Sequence, residues 1–169
     1  AAGIMNTLYT NVRHWQQPVH DQITPLRKCH RMAMQAGDFE YGLYSLLNYT
    51  LLLWGSGKPL EHCLAEVEPS ISLCQSKNQQ FSLQVTLMLA QSVLNLTGMS
   101  PSTTRLEGKS FSEETMMSRL EGNQFLLALY GLLKMKLHYL FGEPGAAYDH
   151  VEEVLKHRGS VNPAYLYTK

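Results

Sequence analysis

The chain has 169 residues, of which 44% are hydrophobic and 17% are charged, and its 14 basic residues balance its 14 acidic residues. This length is enough for one domain with a hydrophobic core. Charged residues make up about 25% of a typical soluble domain, so we expect a largely neutral surface or one that another molecule covers. The neutral balance and the lack of a basic tract argue against binding to nucleic acid or to an anionic membrane.

Three cysteines, Cys29, Cys63 and Cys74, occur without close pairing. Their odd number and spacing indicate reduced thiols and a cytoplasmic setting. The last two lie on one predicted helix, where eleven residues separate them by about 16 Å, which is too far for a disulfide. No apolar run reaches the ~18 residues of a transmembrane helix, so we expect no membrane contact.

Apolar residues recur at a spacing close to 3.6 along most of the chain, and this period predicts helices. The first stripe contains four of them, Ile4, Leu8, Val12 and Trp15. A second helix is predicted for about residues 21–36, and Gly37 ends it. Asp38 can then cap a third helix, which extends to about Trp54.

Two further helices are predicted in the middle of the chain. Pro59 suits the first turn of the fourth helix, whereas Pro69 lies inside it and should bend it by removing one backbone hydrogen bond. The fifth helix is predicted for about residues 79–96. A loop rich in Gly, Ser, Thr and Pro covers residues 97–112, and its last residue is the expected N-cap of a short helix.

Residues 125–155 are the most informative stretch, because they combine a long apolar helix, a turn at Gly142 and an amphipathic helix. This order predicts one helical hairpin. The first helix is apolar nearly all round, so we expect neighbours on both of its sides. Its polar residues Lys134, Lys136 and His138 are expected at the solvated or snorkelling edges of this otherwise buried helix. Another helix is predicted to start within residues 161–169.

Strand signals are nearly absent, and the helices that start near Gly37, Gln79 and Glu121 follow one another at intervals of 42 residues. The turns at residues 37–40 and 142–145 are similar to the Gly-acid turn of tetratricopeptide units, whose usual period is about 34 residues. We therefore predict an all-α fold, a tetratricopeptide-like right-handed α-solenoid of about four antiparallel helical hairpins. An irregular helical bundle is the alternative.

Two kinds of motif suggest chemistry at first sight. Gly108-Lys109-Ser110 looks like the end of a phosphate-binding Walker A loop, but Thr103 stands where that motif requires glycine. The pairs Cys29-His30 and His62-Cys63 consist of adjacent helical residues, which point about 100° apart and seldom bind one ion together. We expect neither a nucleotide or other cofactor nor a metal ion.

His150 and Glu153 lie three residues apart on one helical face, as surface pairs on helices often do. No nucleophile motif or oxyanion-hole motif accompanies them. We therefore expect no catalytic residue in this chain.

Tyrosine is frequent for a chain with so few charges. The nine tyrosines are Tyr9, Tyr41, Tyr44, Tyr49, Tyr130, Tyr139, Tyr148, Tyr165 and Tyr167. Tyrosine is enriched at protein interfaces, and a stacked-helix solenoid offers an extended concave face. Partner binding is therefore the function that this architecture favours, as an inference from the fold class only.

Turn and packing signatures occur in a fixed order along the chain. They are His14-Trp15 with Pro18, Thr24-Pro25-Leu26, Gln35 to Gly42, Ser56 to Leu60, Leu94 to Gly98 and Tyr139 to Gly142. In this order and spacing they resemble the helical-repeat region of very large bacterial signalling proteins. In that family a serine/threonine-kinase-like domain and an AAA-type ATPase precede the repeats, and a GAF domain and often a histidine kinase or cyclase follow.

The resemblance implies that residues 1–169 are a single helical-repeat domain cut from a larger cytoplasmic signalling protein. It implies that this segment is not catalytic and that it binds a protein partner or flanking domains of the same chain. A homodimer is a further alternative. The alternative is a small-molecule sensor with a pocket between helices lined by Trp15, Tyr44 and Trp54. A closed apolar pocket would favour the sensor, and an open groove would favour partner binding.

Overall fold

The computed structural model describes residues 2–160. Helices account for most of these residues, and no strand occurs among them. The predicted all-α class is therefore confirmed for the described part of the chain. No helix within it is both long and apolar enough to cross a membrane. The helix predicted within residues 161–169 lies outside the described residues, as do Tyr165 and Tyr167.

The chain divides into two compact units, and the boundary between Thr86 and Leu87 falls inside one helix. The helices of the first unit are α1 (Ala2–Thr7), α2 (Ile23–Gln35), α3 (Phe39–Gly55), α4 (Leu60–Ser76) and the first part of α5 (Gln80–Leu96). Between α1 and α2, the chain forms a π-helical turn (Leu8–Val12) and two 3₁₀ turns (Arg13–Trp15 and Val19–Gln22).

Helices α2 and α3 form a hairpin that closes at Gly37. This glycine has a φ of 74°, a left-handed conformation that commonly ends helices. Asp38 then caps α3, because its carboxylate accepts a hydrogen bond from the backbone N–H of Tyr41 at 3.3 Å. The inward face of α2 contains Leu26 and Cys29, both fully buried. The predicted hairpin turn is therefore confirmed.

Helix α4 continues without interruption past Pro69, and Pro59 occupies its N-cap position rather than its first turn. Cys63 and Cys74 lie on the buried face of this helix as free thiols. Burial raises the pKa of both thiols, which keeps them protonated and unreactive.

The second unit contains the rest of α5, a long loop and four further helices. These are α6 (Glu113–Met116), α7 (Gln124–Leu140), α8 (Pro144–Asp149) and α9 (Val151–Lys156), and two 3₁₀ turns lie at Met117–Arg119 and Arg158–Ser160. Helix α7 packs against both α8 and α9. Because α8 and α9 are consecutive parts of the chain after Gly142, these contacts do not test whether α7 has neighbours on both of its sides, and that expectation stays a prediction.

The helix after Gly142 is split in two, whereas the sequence predicted one continuous helix. The break lies at His150. Its backbone N–H donates a hydrogen bond to the carbonyl of Ala147, three residues earlier, at 3.2 Å. Beyond it, α9 lies close to α7 at Gly131, where an added Cβ would be 3.1 Å from Cγ2 of Val154.

Candidate functional site

An open groove of about 570 Å³ lies in the first unit, between the N-terminal helical segment and the start of α3. The residues that line it are Gly3, Ile4, Thr7, Leu8, Val12, Asp38 and Tyr41. The lining is mostly apolar, with one carboxylate.

The N-terminal segment buries polar side chains and exposes apolar ones. Its inward face contains Asn6, 8% exposed, and Thr10, 4% exposed, whereas Ile4 is 78% exposed and Val12 47% exposed. The Thr10 hydroxyl donates to the carbonyl of Asn6 at 2.8 Å, and the side-chain amide of Asn48 on α3 donates to Oδ1 of Asn6 at 3.1 Å. The bond from Asn48 links the polar face of the segment to α3, and Ile4 and Val12 are directed outward.

Tyr41 forms one wall of the groove and lies directly against the first helix. A Cβ added to Gly3 would be 2.8 Å from the Tyr41 ring, so glycine is what permits this approach. Tyr41 also meets Tyr44 edge to face, and Tyr44 meets Phe81 in the same way, each with ring centroids 6.3 Å apart. Such edge contacts are favourable, and they support the Tyr41 ring at this side of the groove.

The three residues predicted to line a sensor pocket do not line this groove. Trp15 is 71% exposed, and its ring is tilted by 39° against that of His14, with the ring centroids 4.9 Å apart. Tyr44 and Trp54 are both half-buried, but they lie ten residues apart on α3, which corresponds to about 15 Å along the helix. The prediction of a shared pocket remains untested.

The tyrosines differ in exposure more than the sequence indicated. Tyr139 and Tyr148 are 70% and 71% exposed, but Tyr49 is buried at 2%. Tyr130 is half-buried, and burial together with the nearby Glu113 carboxylate raises its pKa. An interface role is therefore open only to a subset of the predicted surface aromatics.

In the second unit, Gln91 on α5 holds the following loop in place from a fully buried position. Its Oε1 accepts hydrogen bonds from the backbone N–H groups of Ser110 and Phe111, at 3.0 and 3.3 Å. Its Nε2 donates to Asn95 Oδ1 at 2.9 Å and to the carbonyl of Glu107 at 3.2 Å. The Gly/Ser/Thr-rich loop is therefore a fixed part of this unit.

These contacts also bear on the Walker-like segment Gly108-Lys109-Ser110. A phosphate loop needs free backbone N–H groups directed at the ligand. Here the Ser110 N–H already donates to Gln91, and a Cβ on Gly108 would lie 2.8 Å from Nε2 of the same side chain. The glycine thus serves close packing between the loop and α5.

Lys134 contradicts the prediction of a solvated or snorkelling edge, since the residue is only 5% exposed. Its Nζ donates to Oε1 of Glu113 at 2.9 Å and to the carbonyl of Thr104 at 2.8 Å. The same carboxylate oxygen accepts from the backbone N–H of Leu106 at 2.6 Å. The carbonyl of Thr104 on the loop and the carboxylate of Glu113 on α6 offset the desolvation of the buried ammonium group. Lys136 is also partly buried, and desolvation lowers its pKa.

His138 and His150 stack with their ring centroids 5.3 Å apart, and Nδ1 of His138 lies 2.7 Å from Oε2 of Glu143. Burial lowers the pKa of His150, and neighbouring positive charges add to the effect. Glu153, which the sequence placed beside His150, instead lies 2.9 Å from Nε2 of His157. In the described part of the chain, no group of three or more His, Cys, Asp or Glu residues could hold a metal ion.

Sequence reasoning did not single out Gln91 as an important residue. A signal was present, because Gln91 and Asn95 are two amides four residues apart on one face of a helix that contains no charged residue. Comparisons of the chain with protein-family models, curated proteins and solved structures gave no match in any of the three. The assignment to a signalling family therefore stays a prediction from the sequence.

Proposed function

We propose that this chain is a non-catalytic helical-repeat segment of a multidomain signalling kinase or ATPase, and that it binds a protein partner or a flanking domain. The observation that carries the binding role is the N-terminal segment, which buries Asn6 and Thr10 and exposes Ile4 and Val12. Contiguous exposed apolar surface with a polar rim is typical of interaction sites.

The form of the groove supports a macromolecular partner over a small ligand. Small-molecule sites enclose most of their ligand, whereas this groove is largely open to solvent. Its apolar residues Ile4, Leu8 and Val12 recur at intervals of four, as in surfaces that receive a helix.

For the finer architecture we propose a tetratricopeptide-like right-handed α-solenoid. Two turns support it: Gly37 and Gly142 have φ values of 74° and 81°, and the acidic residues Asp38 and Glu143 follow them at the N-caps of α3 and α8. Repeated hairpins of this type form extended binding surfaces.

The signalling context rests on the sequence resemblance, which places ATP binding and phosphotransfer in other domains. Internal contacts of the candidate chemical groups favour a binding role. The Ser110 N–H donates a hydrogen bond to Gln91, and the His150 ring stacks on that of His138.

Two experiments test the proposal. First, the full-length gene product should contain a kinase-like, AAA ATPase, GAF or histidine-kinase domain beside this segment, and a gene without any of these would refute the signalling context.

Second, Val12→Glu in the full-length protein should change its ATPase or autophosphorylation activity. Met99→Glu is the matched control, because Met99 is an apolar side chain, 59% exposed, that does not line the groove. Equal activities of both variants and the unmodified protein would refute a role of the groove in regulation.

A further inference from the structure

We propose that the partner at this groove is a second copy of the chain, in a two-fold symmetric dimer. The apolar stripe of each copy, which consists of Ile4, Leu8 and Val12, pairs with that of the other in antiparallel orientation. The inference rests on the proposed binding role of the groove and adds the identity of its occupant.

The stripe is suited to pairing with itself because the same residues line the groove and project from it. Ile4 and Val12 are among the lining residues, yet they are 78% and 47% exposed. In a two-fold interface each copy contributes the same patch, so a patch that contains both a ridge and an adjacent groove can be self-complementary. Side chains four residues apart form the ridges by which helices pack together.

Unpaired charges of opposite sign lie toward the two ends of the stripe. At the N-terminal end, the Tyr41 ring lies over Gly3, and Asp38 caps the turn that carries Tyr41. At the other end, Arg13 directly follows Val12. Among the described residues, neither Asp38 nor Arg13 forms an ion pair.

This distribution of charge selects the antiparallel orientation. It brings Arg13 of one copy toward Asp38 of the other at both ends of the interface, whereas a parallel pairing would place like charges together. Complementary charges fix orientation and suppress wrong pairings. The chain has no net charge, so long-range repulsion between copies is also small.

The available area fits a weak dimer. The exposed apolar side chains that line the groove are Ile4, Val12 and Tyr41. From their exposed fractions they offer roughly 350 Å² per copy, against about 800 Å² per partner in a typical stable interface. With the polar rim added, we expect dimerisation that depends on concentration rather than an obligate dimer.

Sedimentation velocity of the 169-residue chain over a concentration series tests the inference. The unmodified chain should pass from monomer to dimer. Ile4→Glu and Val12→Glu should each weaken dimerisation at least about tenfold, because each places a carboxylate in an apolar contact. Met99→Glu should dimerise like the unmodified chain. If a glutamate variant loses its helical circular dichroism, the serine variant at the same position replaces it.

A charge exchange tests the orientation. Arg13→Glu should weaken the dimer, and the double variant Arg13→Glu/Asp38→Arg should recover most of the loss. Asp38→Asn keeps the helix cap and removes only the charge, so it separates the ion pair from the capping role of Asp38. A double variant as weak as Arg13→Glu alone would refute the antiparallel pairing.

A chain that stays monomeric at every concentration would overturn the inference, as would glutamate variants no weaker than Met99→Glu. The proposed function would survive this result if Val12→Glu still changed the activity of the full-length protein. If that activity were also unchanged, both proposals would fail.

Discussion

Replacement of Gln91 by methionine tests how the loop after α5 is held. The buried Gln91 amide accepts from the backbone N–H groups of Ser110 and Phe111 and donates to Asn95 and to the Glu107 carbonyl. Methionine has a similar shape, so this substitution removes the hydrogen bonds without opening a large cavity.

The expected loss follows from the groups left without partners. Each buried polar group that loses its hydrogen bond costs about 1–3 kcal/mol, so the two N–H groups of Ser110 and Phe111 together set a range of about 2–6 kcal/mol. Asn95 still donates to the carbonyls of Thr103 and Arg105, at 3.2 and 2.6 Å, and this limits the rearrangement. We therefore expect the free energy of unfolding to fall by about 3 kcal/mol.

Urea unfolding followed by circular dichroism measures the free energy, and amide hydrogen exchange measures protection at Ser110 and Phe111. Both amides should exchange faster in Gln91→Met. Gln75→Met, at an exposed position on α4, is the matched control and should leave both measurements unchanged. An unchanged urea midpoint in Gln91→Met would contradict the reasoning, as would a loss of stability in which both amides keep their protection.

Three further predictions concern the same unit. Lys134→Met should lower the free energy of unfolding by about 3 kcal/mol, because it leaves the largely buried Glu113 carboxylate with only the longer contact to Arg105, at 3.8 Å. Adding Glu113→Gln should recover part of the loss in a double-mutant cycle. Gly108→Ala should cost about 1–3 kcal/mol in urea unfolding, since its Cβ would lie 2.8 Å from Gln91 Nε2. Burial lowers the pKa of His150, so the unfolded chain binds this proton more readily than the folded chain. The stability that depends on neutral His150 is fully present above the ordinary pKa of 6.5, and it decreases as the pH falls through and below this value. The urea midpoint of His150→Gln should therefore depend less on pH in this range.

Each of these variants has a control of the same chemical type. Lys156→Met replaces a lysine whose side chain is 69% exposed, Gly145→Ala adds a Cβ with no atom within 4 Å, and His62→Gln changes an exposed histidine. A test variant that behaves like its control would contradict the contact assigned to that residue.

Helix positions and several caps could be predicted from the sequence because the signals are local. The fifth helix was expected at about residues 79–96 and is observed at Gln80–Leu96. Asp38 and Ser112 accept hydrogen bonds from the backbone N–H groups of Tyr41 and Thr115, as N-caps do. Such contacts lie within one helical turn, so the residues that make them are only three positions apart in the sequence.

The polar contacts inside the second unit could not be predicted in this way. Lys134 reaches Glu113, 21 residues away, and the carbonyl of Thr104, 30 residues away. Since a lysine in an apolar helix is more often at a solvated edge, the sequence favoured the wrong environment. Gln91 is similar, because its partners are backbone groups of a loop whose path depends on the folded unit.

The N-terminal segment shows most clearly what each level decides. The sequence by itself determined that the segment is helical and that Ile4, Leu8 and Val12 share one face. Asn6 and Thr10 have the same spacing of four, however, so the period alone does not say which face is buried. Only the tertiary structure decides this: the hydrogen bond from Asn48 to Asn6 directs the polar face inward, and Ile4 and Val12 are left exposed.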